Sequence, residues 1–244
     1  MEWWKILLLA GGGLLAGAIN SIAGGGSLLT VPLLVFAGVP GNLANGSNRV
    51  GILTSTAAAA AEFRRLGVVS LKQTTPILIP VMVGSFAGSS LVGLLADATF
   101  ERVFGFLMVP VLILSLRKPK PKADGKSWPT WVRVLVFLFI GMYGGAFQAG
   151  IGLLLIVALS HTGLGLVVAN SVKVLVNLAV TLVALPTFIA NGNVDWQPAL
   201  ILAVGLTIGG ALGANATVRG GEKIIRPVMI AAVIAFSGRL VGLY

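Results

Sequence analysis

Two basic residues lie inside apolar stretches of this chain, each directly after a run of polar side chains. Arg49 follows Asn45-Gly-Ser47-Asn48, and Lys173 follows Asn170-Ser171-Val172. A charge at membrane depth is costly, so each marks a candidate functional site. Arg supplies a planar fork of donors and Lys a point charge, so together they could bind a small oxyanion. The alternative is that both side chains snorkel to a nearby interface, since only about 9 Å of helix precedes each of them.

Glycine-rich breaks precede both basic residues. The first is Gly24-Gly25-Gly26-Ser27, and the second extends from Gln148 to Gly152. Glycines within apolar sequence break a helix and let a ligand approach bare backbone. Helices that begin after Gly26 and Gly152 would add free N–H groups and partial positive charge.

The predicted substrate-binding set therefore combines the breaks, the two cations and their polar neighbours. Any single polar member could instead hold two helices together. The set is Asn20, Ser21, Gly24, Gly25, Gly26, Ser27, Asn45, Ser47, Asn48, Arg49, Gln148, Gly150, Gly152, Asn170, Ser171, Lys173 and Asn177.

The composition is that of an integral membrane protein. Of 244 residues, 57% are hydrophobic and 10% are charged, whereas soluble domains carry about 25% charged residues. The net charge of +10 comes mainly from Lys and Arg in short loops, which indicates topology signals and not nucleic-acid binding. The absence of cysteine excludes disulfides and thiolate ligands, and we expect no metal and no other cofactor.

Apolar runs divide the chain into two similar halves. The second run of each half offers only roughly 12 to 14 residues, too few to span a bilayer. Each short run is either one arm of a re-entrant hairpin or the short arm of a broken helix, and the sequence leaves both open. The runs are 3–23, 27–38, 43–63, 75–95 and 100–116, then 131–149, 152–165, 167–190, 198–216 and 224–243.

The two halves match at a nearly constant offset. Arg49 aligns with Lys173, Arg102 aligns with Arg226, and the small-residue segment Gly84-Ser-Phe-Ala-Gly88 aligns with Gly209-Gly-Ala-Leu-Gly213. We therefore predict a duplicated unit, with residues 1–116 as the first membrane repeat, 117–130 as a basic cytoplasmic linker and 131–244 as the second repeat.

Loop charges predict that the repeats are inverted. Loops 64–72, 117–126 and 219–226 are rich in Lys and Arg and are predicted to be cytoplasmic, whereas 97–102 and 191–195 contain acids and are predicted to be external. The fold class is thus an all-α polytopic membrane protein of about 8–10 helical segments, built from two inverted repeats. That architecture is typical of secondary transporters, which bind substrate at the repeat interface and rock one repeat against the other.

Enzyme chemistry finds little support. No acid lies clearly within an apolar run, which disfavours a carboxylate relay, and His161, the single histidine, is placed at the end of a short run. Gly125-Lys126-Ser127 lacks the upstream glycine and strand of a phosphate-binding loop. We therefore expect that the protein is not an enzyme.

The paired motifs resemble the signatures of the TauE/SafE sulfite exporter family, also called TSUP. The first repeat contains Asn20-Ser-Ile-Ala-Gly-Gly-Gly-Ser27 and Asn45-Gly-Ser-Asn-Arg49, where the family usually ends in Gly-Thr-Asn-Lys. The second contains Gly141-Met-Tyr-Gly-Gly-Ala-Phe-Gln-Ala-Gly-Ile-Gly152 and Asn170-Ser-Val-Lys173, followed by Asn177. The resemblance implies a bacterial inner-membrane permease for sulfite or a small organosulfonate such as sulfoacetate.

The leading hypothesis is thus a secondary transporter that exports a small sulfur oxyanion or organosulfonate. An anion channel with a fixed pore and a structural membrane subunit without transport are the alternatives. The expected partners are the small anion and the lipid bilayer, with no nucleic acid. A homodimer is compatible with the sequence, which leaves the oligomeric state open.

Overall fold

A computed structural model describes residues 1–68, 70–116 and 128–220, and the described residues form nine α-helices and no strand. This confirms the all-α prediction. The basic linker before residue 128 and the last apolar run, 224–243, lie outside the described residues. The helices are α1 (Trp3–Ala23), α2 (Ser27–Phe36), α3 (Gly41–Arg65), α4 (Leu71–Val92), α5 (Asp97–Leu116), α6 (Thr130–Ala146), α7 (Ile151–Ser160), α8 (Leu166–Ala190) and α9 (Trp196–Gly220).

Four of these helices, α1, α4, α8 and α9, are long and apolar enough to cross a membrane. Together with the apolar composition they define a multi-pass membrane protein. The short helices α2 and α7 have 10 residues each, which corresponds to about 15 Å, half of the hydrocarbon core. Neither can span the bilayer alone.

The glycine breaks end the helices that precede α2 and α7. Gly24 adopts a left-handed conformation at φ 86° and its N–H binds the carbonyls of Ile19 and Asn20, which closes α1. In the second break Gln148 and Gly150 both have positive φ values, 61° and 73°. A positive φ is uncommon for a residue other than glycine, and Gln148 is held in it by the hydrogen bonds described below.

Each short helix folds back along the helix before it. The Trp4 ring near the start of α1 packs edge-on against the Phe36 ring at the end of α2, 6.1 Å away, and Gly26 lies against Ala16. In the second half, Trp128 stacks on His161 at 4.8 Å, which joins the residues before α6 and after α7. The short runs are therefore arms of antiparallel hairpins, α1–α2 and α6–α7, and each hairpin returns the chain towards the end from which it came.

Both hairpins pack mainly on a helix from the other half of the chain. The most extensive contact of α1 is with α9, and that of α6 is with α4. Small residues let the backbones touch: Gly209 lies against the backbone of Leu14, and Gly88 lies against the backbone of Met142. The two aligned small-residue segments thus form close helix contacts as predicted. The domain division at residues 117–130 and the inverted orientation stay predictions.

Single cysteines on the two exposed ends of long helices test the inverted orientation. The chain contains no cysteine, so Arg65→Cys at the end of α3 and Gln197→Cys at the start of α9 introduce unique thiols at exposed positions. We expect a membrane-impermeant maleimide to label the Gln197→Cys variant from outside intact cells and the Arg65→Cys variant only after the membrane is opened. Labelling of both from the same side contradicts the inversion.

Candidate functional site

The tips of the two hairpins touch each other in the interior of the protein. We define the first tip as residues 24–27 and the second tip as residues 147–152, all of which are buried. The backbones of Gly24 and Gly152 are so close that a Cβ on either would overlap the other. Ser27 joins the tips, because its Oγ accepts from the Gly150 N–H at 3.1 Å and donates to the Gln148 carbonyl at 3.3 Å.

Arg49 on α3 caps the helix that leads into the second tip. Its Nη1 donates to the Gly144 carbonyl at 3.1 Å, and its Nη2 donates to the carbonyls of Gly145 and Ala146 at 2.5 and 3.0 Å. These are carbonyls of the last turn of α6, where a helix lacks internal donors and carries partial negative charge. The guanidinium also lies 4.3 Å from the centre of the Phe188 ring.

Lys173 on α8 does the same for the helix that leads into the first tip. Its Nζ donates to the carbonyls of Asn20 and Ser21 at 2.7 and 3.0 Å, in the last turn of α1, and to Oδ1 of Asn170 at 2.8 Å. The cation of each half therefore stabilises the broken helix of the other half. Arg49 is 0% exposed and Lys173 is 2% exposed, so neither side chain snorkels.

Among the described residues, no carboxylate forms an ion pair with Arg49 or Lys173. In the described part of the chain, the ion pairs join Lys5 to Glu2 and Arg65 to Glu62 and involve neither buried cation. Carbonyl groups solvate a cation but leave its net charge in place. The crossing of the two tips is consequently a region of net positive charge that is shielded from water.

Gln148 links Arg49 to α8. Its Oε1 accepts from Arg49 Nη1 at 2.9 Å, while its Nε2 donates to Asn177 Oδ1 at 2.7 Å and to Thr181 Oγ1 at 3.2 Å. Asn45 adds a further bond to this tip through its Nδ2, which donates to the Ala146 carbonyl at 2.8 Å. The structure therefore brings Asn45, Arg49, Gln148 and Asn177 of the predicted set together, and their binding of substrate stays a prediction.

Two predicted site residues hold loops instead. Ser47 Oγ accepts from the Asp195 N–H at 2.8 Å, in the connection between α8 and α9. Ser171 Oγ pairs with Ser70 Oγ at 2.7 Å, just before α4. Both serines are at aligned positions of the repeats, and each ties a loop to the helix that carries a buried cation.

Three residues that contact the tips or their capping side chains were not predicted from the sequence. Thr181 and Phe188 follow Asn177 along one face of α8, at spacings of four and then seven residues, so helical periodicity could have found them. Tyr143 donates its hydroxyl to the Ala149 carbonyl at 2.6 Å and so supports the second tip. It lies within the quoted glycine motif and is one of two tyrosines in the chain.

Asn48 is a buried amide that the described residues leave unsatisfied. The residue is 0% exposed, and neither Nδ2 nor Oδ1 forms a hydrogen bond with any of them. One turn before and after it, Ala44 and Ile52 pack in the apolar cluster with residues of α1 and α2, so Asn48 faces the first hairpin. An unsatisfied buried polar group costs about 1–3 kcal/mol, which calls for a ligand that can bind it.

Other buried donors near the tips are also unsatisfied. Arg49 Nε and Asn170 Nδ2 have no acceptor, even though the remaining donors of the Arg49 and Lys173 heads are bonded. Among the described residues, no group of three or more His, Cys, Asp or Glu side chains could hold a metal ion. Oδ1 of Asn20, Asn45 and Asn48 are likewise buried acceptors that form no hydrogen bond with any residue the structure describes. The site therefore offers both donors and acceptors to a ligand, beside two basic side chains.

Comparison with known proteins places this polytopic fold among membrane transporters. The profile of the sulfite exporter TauE/SafE family matches residues 9–240. That match spans nearly the whole length of the chain. The chain therefore belongs to the TauE/SafE family. No solved structure matches the chain.

Similar proteins occur in several bacteria. A "probable membrane transporter protein" of Haemophilus influenzae is 29% identical over 233 residues, which cover 94% of this chain and 91% of the relative. The "probable membrane transporter protein YfcA" of Escherichia coli is 28% identical over 231 residues, which cover 93% of this chain and 86% of the relative. Both relatives are thus named as probable membrane transporters.

The contact between the tips predicts unequal effects of two glycine substitutions. Gly24 and Gly38 both have left-handed φ values, 86° and 97°, so alanine at either costs about 1–2 kcal/mol of backbone strain. A Cβ at Gly24 would also lie 2.5 Å from the Gly152 carbonyl carbon, whereas a Cβ at Gly38 meets only Lys5 Nζ at 3.9 Å. We expect Gly24→Ala to lower the melting temperature of the purified protein clearly more than Gly38→Ala. Equal shifts would mean that the tips do not pack as described.

Proposed function

We propose that the protein is a secondary transporter of the bacterial inner membrane that exports a small sulfur oxyanion or organosulfonate, such as sulfite or sulfoacetate. The observation that carries this proposal is a pair of buried cations, Arg49 and Lys173, which bind the two hairpin tips and form no ion pair with any residue that the structure describes. Membership of the sulfite exporter family supports the choice of anion.

The site would bind the anion through charge and through spare donors. Arg49 Nε, Asn48 Nδ2 and Asn170 Nδ2 are buried donors without acceptors among the described residues, and the three oxygens of a sulfite or sulfonate group offer acceptors for them. The first turns of α2 and α7 begin at the tips and add partial positive charge. Their N–H groups are in part already bonded, since Leu28 and Leu29 donate to the carbonyls of Gly25 and Gly26, and Leu153 donates to that of Gly150. Binding would therefore satisfy groups that cost free energy without a ligand.

The buried position of the tips favours a moving transporter over a fixed pore. Every residue of both tips is buried, so an anion reaches Gly24 and Gly152 only if the tips separate. Exposing such a site to one side of the membrane at a time is the alternating-access cycle of secondary transporters. A membrane potential that is negative inside favours exit of an anion by about 2.3 kcal/mol per charge per 100 mV.

Flux into liposomes tests this proposal. Reconstituted protein should take up radioactive sulfite with saturation, and unlabelled sulfite on the far side should accelerate the exchange, because a site that alternates between sides moves faster when it is loaded both ways. Sulfate, thiosulfate, taurine and sulfoacetate are the competitors. Flux that rises linearly with concentration and shows no counterflow would identify a channel.

Removing either buried charge should weaken anion binding. A charge-assisted hydrogen bond contributes about 1.5–3 kcal/mol, so Arg49→Gln and Lys173→Gln should each lower affinity roughly 10- to 150-fold. Glutamine keeps a donor for the helix carbonyls, and Arg49→Lys keeps the charge but loses the fork, so it should cost less. Isothermal titration with sulfite and sulfoacetate measures the effect, and Arg65→Gln, an exposed arginine on the same helix, is the matched control.

The control should bind like the parent. If both glutamine variants also bind as tightly as the parent, the two cations are caps of α6 and α1 alone. The melting temperature of each variant, measured without anion, separates a loss of affinity from a loss of folded protein.

Asn48 and Asn177 should respond differently to leucine. Asn48 has no hydrogen bond to lose, so Asn48→Leu should leave the anion-free protein at least as stable as the parent, while it weakens binding by about tenfold through the lost donor. Asn177 accepts from Gln148, so Asn177→Leu should lower the melting temperature. Unchanged affinity of Asn48→Leu would remove this amide from the site.

A further inference from the structure

Eight of the nine described helices group into two bundles that do not coincide with the two halves of the sequence, and α5 contacts a helix of each bundle. The first bundle consists of α1, α2, α3 and α9, and the second consists of α4, α6, α7 and α8. The largest helix contacts, α1 with α9, α3 with α9, α4 with α6 and α4 with α8, all lie within a bundle. Helices α3 and α4 are consecutive in the chain but belong to different bundles, and so do α8 and α9.

Backbone contacts at small residues consolidate each bundle. In the first bundle Gly17 lies against the backbone of Leu206, and in the second bundle Gly145 lies against the backbone of Ser85. Such contacts bring helix axes close along their length and leave no room for sliding. A substitution larger than glycine at these positions would overlap backbone, which does not yield as a flexible side chain does.

Hydroxyl pairs add specific bonds inside each bundle. Thr207 donates to Thr54 at 2.7 Å between α9 and α3, and Asn215 donates to Glu62 at 2.8 Å between the same two helices. Ser89 pairs with Thr187 at 2.9 Å between α4 and α8. These bonds connect helices from different halves of the sequence, so they would have to break if the halves moved against each other.

The bonds between the bundles concentrate at the tips. Arg49 of the first bundle binds α6 of the second, and Lys173 of the second bundle binds α1 of the first. The bonds of Ser27 and Asn45 also cross between bundles there. Away from the tips, α3 and α8 share the main contact between bundles, and Asn42 binds carbonyls at the end of α4.

We infer that the two mixed bundles, and not the two sequence repeats, are the rigid bodies that move during transport, with Arg49 and Lys173 as the bonds that close the joint. This inference rests on the proposed transport function. Motion between bundles breaks the polar bonds at the tips, where an anion supplies new acceptors for the freed donors. It also shifts the apolar contacts of α3 with Val174 and Leu185 of α8, which have no bond direction to lose. Motion between repeats would instead break the glycine contacts of α1 with α9 and of α4 with α6.

Disulfide trapping distinguishes the two kinds of motion, and the natural chain has no cysteine to interfere. Two variants lock helices within a bundle: Thr54→Cys with Thr207→Cys, and Ser89→Cys with Thr187→Cys. Both also tie one sequence repeat to the other. A third variant, Ile22→Cys with Leu153→Cys, places one thiol on α1 and one on α7 within the same apolar cluster. A short bifunctional thiol reagent then cross-links the two helices and holds the tips together.

We expect each within-bundle disulfide to change sulfite flux by less than about twofold and the tip cross-link to lower flux at least about tenfold, since only the latter blocks a required opening. Reducing agent should restore the flux of disulfide variants, and single-cysteine variants serve as controls. Loss of flux on oxidation of either within-bundle pair, or full flux with the tips cross-linked, overturns the inference.

A second measurement does not depend on the transported anion. Leu153 is 3% exposed, so a water-soluble maleimide reaches Leu153→Cys only when the tips separate. We expect slow alkylation whose rate is unchanged when the Thr54–Thr207 pair carries its disulfide. No alkylation, or alkylation suppressed by that disulfide, contradicts the moving bundles. If Leu153→Cys is alkylated as expected but the parent protein shows no anion flux, the proposed function is rejected and the inference about the moving bundles is retained.

Discussion

Burying a charged side chain to cap a broken helix is the interaction on which the rest of this structure depends. A helix that ends inside a membrane leaves carbonyls that neither water nor lipid can satisfy. Here Lys173 supplies the donors for α1, and Arg49 supplies them for α6. Without these cations both hairpins would end in unsatisfied backbone, and without the carbonyls the cations would lack solvation. The breaks and the buried charges therefore require each other.

The same interaction explains why the centre of the protein suits an anion. Carbonyls accept the hydrogen bonds of the cations but do not cancel their charge. Each cation can therefore cap a helix through its N–H groups and still attract an anion through its charge. Asn48 and Arg49 Nε stay without partners beside this charge. The two halves differ here, because Val172 stands at the aligned position of Asn48 and packs in an apolar cluster. At this aligned position only the first half has a polar side chain.

Much of this arrangement was accessible from the sequence, and the reason for the remainder is physical. Glycine breaks, buried cations and the constant offset are properties of residue type, which periodicity and hydropathy reveal. The sequence did not decide whether α2 returns along α1 or continues away from it, because an apolar run of that length permits both. The capping of one half by the other was not visible, since the acceptors are backbone carbonyls and every residue has one. Small-residue segments were found, but such a segment does not specify its partner helix.

The placement of α9 against α1 has a consequence for how the protein is made. Ribosomes deliver α1 first, yet the helix that covers its glycine face, with Gly209 against Leu14, emerges only after α8. The second hairpin finds its packing helix, α4, already in the membrane when α6 is inserted. Assembly is therefore asymmetric in time: the second hairpin docks as it is synthesised, while the first waits with its small residues facing lipid.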